Sequence, residues 1–307
     1  WAALHMQRGV EYVTETARVK ELKSPSTAYV YGKTSNTFTP SNNGLTSAGH
    51  IGFTDIVYDA TLKDYGIFID KFKVGDNVNA YLYNTSGDNY LINLAGSGST
   101  YDTFTASTLP GWSATYGSKV TEIIVDDTVT TIGNYLFYGH SALQKVTFGS
   151  GLTRIGDYAF ANCTAFEAQD AEWNCPVTEF GSYAFANCSI KNAGIPATIT
   201  KLGIGVFSGN PVEQISYRAT AAAAHTADVV PFSGLADSVD TTITIADSVT
   251  SVPAFMFYKA EVEKINIGTG VASIGEAAFS GSKTAEVAIP NGNAAYRVNA
   301  DGNLYTA

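Results

Sequence analysis

The sequence predicts a mostly β fold with short helical or 3-10 segments, in which a solenoid of repeats follows a small β-sandwich-like domain. Two observations support this prediction. Over residues 117–307 a phenylalanine recurs every 22 to 25 residues, with apolar residues five and twelve positions before it. Residues 25–116 instead show short segments that alternate in the period of a β-strand. The first pattern is typical of stacked repeats and the second of a small sandwich.

The composition limits the classes of function. Charged residues make up 15% of the 307 residues, and the formal net charge is −10. A nucleic-acid-binding surface would require a basic patch, so nucleic-acid partners are not expected. The chain has no run of 18 apolar residues, so no transmembrane segment is expected in it. Its first residue is Trp1 rather than Met, which favours a mature or trimmed product.

Residues 1–24 leave two interpretations open, because their pattern fits a helix as well as two short strands. The ordinary expectation is a segment that caps the following domain. The alternative is an arm that packs on a neighbouring molecule.

Residues 25–116 are predicted to form a β-rich domain. The segment NTSGD at 84–88 is a hairpin signal, and LPGWSATYGS at 109–118 has the Pro and Gly of a boundary between domains. Candidate strands lie at residues 27–33, 51–58, 65–74, 77–84, 88–94 and 101–107.

Residues 117–307 are predicted to form about seven repeats and a C-terminal tail segment. One repeat cannot bury its own large apolar residues, but stacked repeats can join them into a continuous core. One repeat is degenerate: Ala227 replaces the aliphatic residue expected five positions before Phe232, and alanines occupy 221–224. This stretch is interpreted as a bulging loop or as a binding feature. The predicted core residues are Ile132, Phe137, Ile155, Phe160, Phe185, Phe207, Phe257 and Phe279.

Several repeats carry a specific motif. The segments IGDYAFANC (155–163), FGSYAFANC (180–188) and IGEAAF (274–279), and the tail NAAYRVNADGNLY (293–305), resemble the BspA-like (Treponema-type) leucine-rich repeat family. The resemblance covers about 190 residues and implies a leucine-rich-repeat solenoid. It also implies an extracellular or cell-surface location and adhesion to host proteins, matrix or other cells.

The sequence shows no pattern of residues that would carry catalysis. The histidines lie far apart, and no metal-ligand spacing, nucleophile elbow or phosphate-loop lysine occurs. We therefore expect no enzymatic activity, no catalytic residue, no cofactor and no metal site. Cys163 and Cys188 occupy the same repeat position, where they could be bridged or remain buried thiols.

Three tyrosines lie two residues before the repeat phenylalanine: Tyr135, Tyr158 and Tyr183. Stacked repeats would align them in a column, which is interpreted either as packing or as a binding strip.

Two functions remain open. One is an adhesin-like binding protein that presents its solenoid to a protein or glycan on a host or neighbouring cell. The other is a self-associating structural subunit of an extracellular filament, sheath or virion assembly.

Overall fold

A computed structural model describes the chain from residue 65 onward, except for residues 168–172, 237–238, 261, 283, 285, 299–303 and 307. Before residue 65 it describes the backbone of five strands: β1 (Ala2–Ala3), β2 (Glu11–Val13), β3 (Arg18–Ser24), β4 (Thr27–Tyr31) and β5 (Asp55–Asp59). These five form one sheet in sequence order, antiparallel up to β4 and parallel between β4 and β5. The interpretation of residues 1–24 as a cap or as an arm depends on residues that the structure does not describe.

The next elements join the N-terminal region to the repeats. They are β6 (Ile67–Lys73), β7 (Val78–Ser86), β8 (Asn89–Gly96), β9 (Gly98–Ser99), α1 (Ser113–Tyr116), β10 (Val120–Val125), β11 (Val129–Ile132) and β12 (Lys145–Thr147). Strands β6, β7 and β8 form an antiparallel meander, with the predicted hairpin turn between β7 and β8. Strand β8 then pairs in parallel with β10, and β10 with β12.

The sheet therefore runs continuously across residue 116, where the sequence suggested a domain boundary. Strand β8 is the first parallel strand of the repeat sheet, and the meander closes the end of the solenoid. The segment 109–118, where the sequence suggested a boundary between domains, contributes Trp112 to the core: its side chain is 1% exposed. Its ring contacts Phe72 and Phe137, at centroid separations of 5.3 and 6.3 Å. Residues 101–107 form no strand and contain only an isolated bridge from Thr105 to Thr108.

The repeats supply two sets of parallel strands. The remaining strands are β13 (Arg154–Ile155), β14 (Glu179–Phe180), β15 (Asn192–Ile195), β16 (Lys201–Leu202), β17 (Gln214–Tyr217), β18 (Thr242–Ile245), β19 (Ser251–Val252), β20 (Lys264–Asn266), β21 (Ser273–Ile274), β22 (Glu286–Ala288), β23 (Tyr296–Val298) and β24 (Leu304–Thr306). The first set of repeat strands includes β15–β17–β18–β20–β22, and the second runs β9–β11–β13–β14–β16 and then β19–β21. A final hairpin, β23–β24, follows. The predicted fold class, a mostly β solenoid, is confirmed.

A ladder of phenylalanine rings forms the centre of the solenoid. Neighbouring rings stack with centroid separations between 5.0 and 6.5 Å. The expected aliphatic partners Ile132 and Ile155 are fully buried beside the ladder. Phe279, at the C-terminal end of the ladder, is only partly buried. The ladder consists of Phe137, Phe160, Phe185, Phe207, Phe232, Phe257 and Phe279.

The degenerate repeat keeps its ring in this ladder. Phe232 is fully buried and stacks between Phe207 and Phe257, and β17 pairs normally with its neighbours. The degenerate repeat lacks its strand of the second set: no strand occurs among described residues 218–236. The second set of strands therefore ends at β16 and resumes at β19.

Polar side chains bind backbone carbonyls next to the ladder. The Cys188 thiol donates to the Phe160 carbonyl at 3.2 Å, and Cys163 makes the same contact one repeat earlier. Burial raises the pKa of Cys188 to about 12, so its thiol stays protonated as a donor. All three cysteines are free, which answers the question of a bridge between Cys163 and Cys188. In the next repeat, Asn210 Nδ2 donates to the Phe185 carbonyl at 2.7 Å.

Candidate functional site

The solenoid brings the three predicted tyrosines together. The rings of Tyr135 and Tyr158 stack at 4.8 Å with an interplanar angle of 15°, and those of Tyr158 and Tyr183 at 5.0 Å and 21°. A fourth ring, Tyr138, lies against Tyr135 at 5.4 Å. All four side chains are half-buried. These residues, Tyr135, Tyr138, Tyr158 and Tyr183, are called the tyrosine strip below.

Hydrogen bonds between repeats fix the backbone of the strip. The Tyr135 N–H donates to the Asp157 carbonyl at 2.9 Å, and the Tyr158 N–H donates to the Ser182 carbonyl at 2.9 Å. Tyr183 makes the corresponding bond to Ile204 at 2.8 Å. The rings therefore project from a backbone that is already ordered, and binding would not have to order it.

The three stacked tyrosines have a left-handed backbone, with φ of 56°, 55° and 56° at Tyr135, Tyr158 and Tyr183. This conformation is unfavourable for a residue with a side chain, typically by about 1–3 kcal/mol. Gly205 occupies the equivalent position in the next repeat with φ 53°. A Cβ atom there would lie 2.7 Å from Cε1 of Tyr183, so the outer face of Tyr183 rests on the Gly205 backbone.

The geometry decides which parts of the rings a ligand can reach. Stacking covers the faces between neighbouring rings, Tyr138 lies against Tyr135, and Gly205 lies against Tyr183. Because the side chains are only half-buried, their exposed parts are mainly ring edges and hydroxyl groups. The strip is an edge-on aromatic surface with polar tips.

The pKa values of two tyrosines in the strip, Tyr135 and Tyr158, are raised, so their hydroxyls stay protonated at neutral pH. Partial burial is the main cause that raises the pKa of Tyr158, and neighbouring Tyr135, Tyr183 and Asp157 add to it. The pKa of Tyr135 is also raised, first by burial and then by Tyr138 and Asp157. A neutral phenol both donates and accepts hydrogen bonds, so the strip can pair with donors and acceptors of a partner.

A series of hydrogen bonds between polar side chains and the next repeat runs beside the strip. Asp102 Oδ1 accepts a hydrogen bond from the Asn134 N–H at 3.1 Å, and Asn134 Oδ1 accepts one from the Asp157 N–H at 2.8 Å. Asp157 Oδ1 in turn accepts one from the Ser182 N–H at 2.7 Å. Asn134 and Asp157 immediately precede Tyr135 and Tyr158, so their side chains hold the same turns in place.

Ion pairs neutralise the charged side chains next to these hydrogen bonds. Arg154 Nη1 contacts both carboxylate oxygens of Asp102, at 2.9 and 3.0 Å, and Arg154 Nε lies 3.5 Å from Glu179. Lys201 Nζ pairs with Glu179 at 2.7 Å. The surroundings of the strip are therefore polar and mixed in charge.

The sequence interpretation missed Tyr138 and a second aromatic group. Phe255, at the same repeat position as Tyr135 and with φ 57°, packs against Tyr258 at 5.3 Å. Lys259 Nζ lies 5.0 Å from the centroid of the Tyr258 ring. The repeat frame contained the signal, since Tyr138 and Tyr258 each follow a ladder phenylalanine by one residue.

The acidic residues in the turns act as backbone caps. Asp127 Oδ1 accepts a hydrogen bond from the N–H of Ser150, and Asp247 Oδ1 accepts one from the N–H of Thr269, both at 2.7 Å.

Within the described part of the chain, no group of three or more His, Cys, Asp or Glu residues could hold a metal ion. No helix in that part is long and apolar enough to cross a membrane.

Comparison with protein families gave one match. The family described as "BspA type Leucine rich repeat region" matches in six copies over residues 111–223 and 236–300, which is more than half of the chain. Comparison with curated proteins gave no match.

Solved structures of bacterial repeat proteins resemble the chain. A leucine-rich repeat protein from Eubacterium ventriosum is 26% identical, with a TM-score of 0.44, over 73% of this chain and 66% of that protein. One from Bacteroides ovatus is 19% identical, with a TM-score of 0.37, over 71% and 58%. A leucine rich cell surface protein from Faecalibacterium prausnitzii is 16% identical, with a TM-score of 0.24, over 72% and 95%. The chain spans less than two thirds of the length of the first two.

Proposed function

Because the chain belongs to the BspA-type leucine-rich repeat family, we propose that it is a non-enzymatic, adhesin-like protein of the cell surface that binds another protein. The tyrosine strip is the observation that carries this proposal. It offers aligned aromatic edges and hydroxyls on an ordered backbone, beside a polar, mixed-charge surface. This combination resembles a protein interface, in which aromatic residues are surrounded by a polar rim.

The orientation of the rings favours a protein over a glycan as the partner. Aromatic residues that bind sugars offer an open ring face to the apolar face of the sugar. In the strip, the faces between neighbouring rings are closed by stacking at 4.8 and 5.0 Å. Ring edges and neutral hydroxyls suit the peptide groups and apolar side chains of a protein surface.

The fixed backbone makes this surface favourable for binding. Tyrosine has few rotatable bonds, so it provides a large contact area at a small loss of conformational entropy. The bonds from Tyr135 to Asp157 and from Tyr158 to Ser182 order the strip before a partner arrives. Binding to an ordered surface avoids the entropic cost of arranging it.

The test is binding of the purified chain to immobilised fibronectin, laminin and collagen, in parallel with a glycan array. We expect saturable binding to at least one of these proteins. Tyr158→Ala removes the middle ring of the strip and should weaken binding at least about tenfold, or about 1.4 kcal/mol. The matched control is Phe255→Ala, which makes the same kind of change at the same position of another repeat and should leave affinity unchanged.

Two results would contradict the proposal. One is binding to glycans but to none of the proteins. The other is an equal loss of affinity in Tyr158→Ala and Phe255→Ala, because that would assign the effect to the solenoid in general. Unfolding of each variant is followed by circular dichroism, so that a loss of structure is recognised.

A structural subunit that self-associates is the second candidate. Strand β22 (Glu286–Ala288) is the last strand of its sheet, and an open edge is a site where another chain can pair. Light scattering after size exclusion separates the two functions. A monomer supports the binding protein, whereas regular oligomers that are lost on deletion of residues 1–24 support the subunit with an exchanged arm.

A further inference from the structure

The degenerate repeat interrupts a regular pattern of hydrogen bonds between repeats. Elsewhere a glycine four residues before the ladder phenylalanine donates its N–H to the preceding repeat; Gly203 donates to Phe180 and Gly275 to Val252, each at 2.8 Å. After the degenerate repeat this position is Pro253, which has no N–H to donate. The sequence itself therefore removes one bond that would join β19 to the repeat before it.

The edge of β19 is open for a second reason. Thr178 and Thr200, seven residues before their ladder phenylalanines, also donate to the preceding repeat, at 2.8 and 2.9 Å. Their counterpart before β19 is Thr250. Among the described residues, no backbone hydrogen bond joins residues 250–252 to residues 220–224. The two segments are held together further along, where the His225 N–H donates to the Ala254 carbonyl at 3.0 Å.

A cleft of about 340 Å³ lies at this break. Thr220, Ala222 and Ala224 line it from the degenerate repeat, and Ser251, Val252 and Ala254 line it from the next one. Ile274 also lines the cleft, but most of the lining side chains are small, so another backbone can come close to the open edge. Large side chains would have filled the cleft or blocked access to the backbone groups.

We propose that this cleft binds an extended polypeptide segment of a partner protein, which pairs its backbone with the edge of β19. A β-strand presents N–H and C=O groups in the regular alternation that an open strand edge requires, and this mode of recognition is known as β-strand addition. A glycan does not present that alternation.

His225 directly follows Ala224 in the chain but does not itself line the cleft. Its Nε2 is buried and has no hydrogen-bond partner in the described part of the chain, and burial lowers its pKa. A neutral ring nitrogen without a partner is unfavourable in the interior.

This site is independent of the tyrosine strip. The strip is formed by residues 135–183, whereas the cleft is formed by residues 220–275. Variants of one site leave the residues of the other unchanged. The two proposals can therefore fail separately.

The probe is a fluorescent synthetic peptide with the sequence ATITKLG, which copies residues 197–203. These residues contain β16, the short strand of the repeat that comes before the degenerate one. We expect saturable binding to the full chain by fluorescence anisotropy. We also expect slower hydrogen exchange at the amides of Thr250 and Ser251 when the peptide is present, because their counterparts Thr200 and Lys201 are the residues that donate to the preceding repeat. The same peptide with N-methyl groups at alternate residues cannot form the ladder of hydrogen bonds and should not bind.

Two matched variants locate the site. Ala224→Trp places a large ring in the cleft and should weaken peptide binding at least about tenfold, which corresponds to about 1.4 kcal/mol. Ala223→Trp makes the same change at the neighbouring residue, which is exposed and does not line the cleft. It should leave binding unchanged.

Three results would overturn the proposal. The first is the absence of saturable binding and of any change in exchange at Thr250 and Ser251. The second is equal binding of the methylated peptide or an equal effect of the two tryptophan variants. The third is a dimer, seen by light scattering, that the Ala224→Trp variant dissociates, because the occupant would then be a second copy of this chain.

Discussion

The phenylalanine ladder predicts a gradient of stability between its middle and its end. Phe160 is fully buried and stacks on Phe137 at 5.3 Å and on Phe185 at 5.5 Å. Phe160→Ala would remove both stacking contacts and leave a cavity in the core. Phenylalanine-to-alanine changes at such sites cost about 3–5 kcal/mol, so we expect a loss of about 4 kcal/mol in the free energy of unfolding.

Phe279 provides the internal comparison. It is only partly buried, and within the described part of the ladder it stacks on Phe257 alone, at 5.4 Å. A half-buried ring loses less apolar area, and its site can fill with water rather than remain an empty cavity. We therefore expect Phe279→Ala to cost about 2 kcal/mol, roughly half the loss at the middle position.

The assay is urea unfolding followed by far-ultraviolet circular dichroism, with the m-value compared between variants so that a change in cooperativity is recognised. Phe160→Leu is the control, because it keeps most of the side-chain volume and should cost less than about 1.5 kcal/mol. Equal losses for Phe160→Ala and Phe279→Ala, or a loss below about 1 kcal/mol at Phe160, would refute the ladder as the continuous core.

Two further predictions concern buried polar residues. His140 accepts a hydrogen bond from Trp112 Nε1 at 2.8 Å, and burial lowers its pKa from 6.5 to about 4. About 3 kcal/mol of stability should therefore be present above pH 6.5 and lost as the pH falls towards 4; His140→Gln should flatten this dependence in urea unfolding, and an unchanged slope would contradict it. Asn210 binds the Phe185 carbonyl and the Ile190 N–H, so Asn210→Ala should cost about 3 kcal/mol. Asn210→Cys should recover part of that loss, because a thiol makes the carbonyl contact in the two preceding repeats, and no recovery would argue against this contact.

The sequence predicted the ladder because one large residue recurs in a fixed frame. In the one repeat that departs from this frame, the sequence did not predict a ladder residue. Ala227 stands where an aliphatic residue was expected before Phe232, and the repeat was therefore classed as degenerate. The structure keeps Phe232 in the ladder, since stacking between Phe207 and Phe257 depends on the ring and not on the residue five positions earlier.

The join between the N-terminal region and the repeats could not be predicted from local patterns. Alternation of side chains identified the strands now seen as β6, β7 and β8, but alternation does not reveal which strand pairs with which. Strand β8 finds its parallel partner in β10, about 30 residues later. The Pro and Gly beside Trp112 indicated a boundary between domains, yet the buried indole is the residue that closes the ladder.

The tyrosine strip was predictable in its alignment but not in its geometry. Equal offsets from the ladder indicated that Tyr135, Tyr158 and Tyr183 would form a column. The offsets did not give the ring angles of 15° and 21°, which close the inner faces and on which the proposal of a protein partner rests. Those angles depend on side-chain contacts between repeats, and such contacts leave no periodic signal in the sequence.

The left-handed position two residues before each ladder phenylalanine separates what the fold requires from what the strip adds. Gly205 and Ala277 take this conformation with φ of 53° and 51°, so the repeat needs only the backbone geometry there. Tyrosine occupies it in the first three repeats, although a side chain in this region typically costs about 1–3 kcal/mol. Part of that cost is offset by stacking, at about 0.5–1.5 kcal/mol for each aromatic pair. Phe255 takes the equivalent position without a hydroxyl group and packs edge-on against Tyr258 at 5.3 Å, so an aromatic ring can be accommodated there without a phenol oxygen. The phenol oxygens are therefore the part of the strip that packing does not explain, and the partner proposed above would use them as hydrogen-bond donors and acceptors.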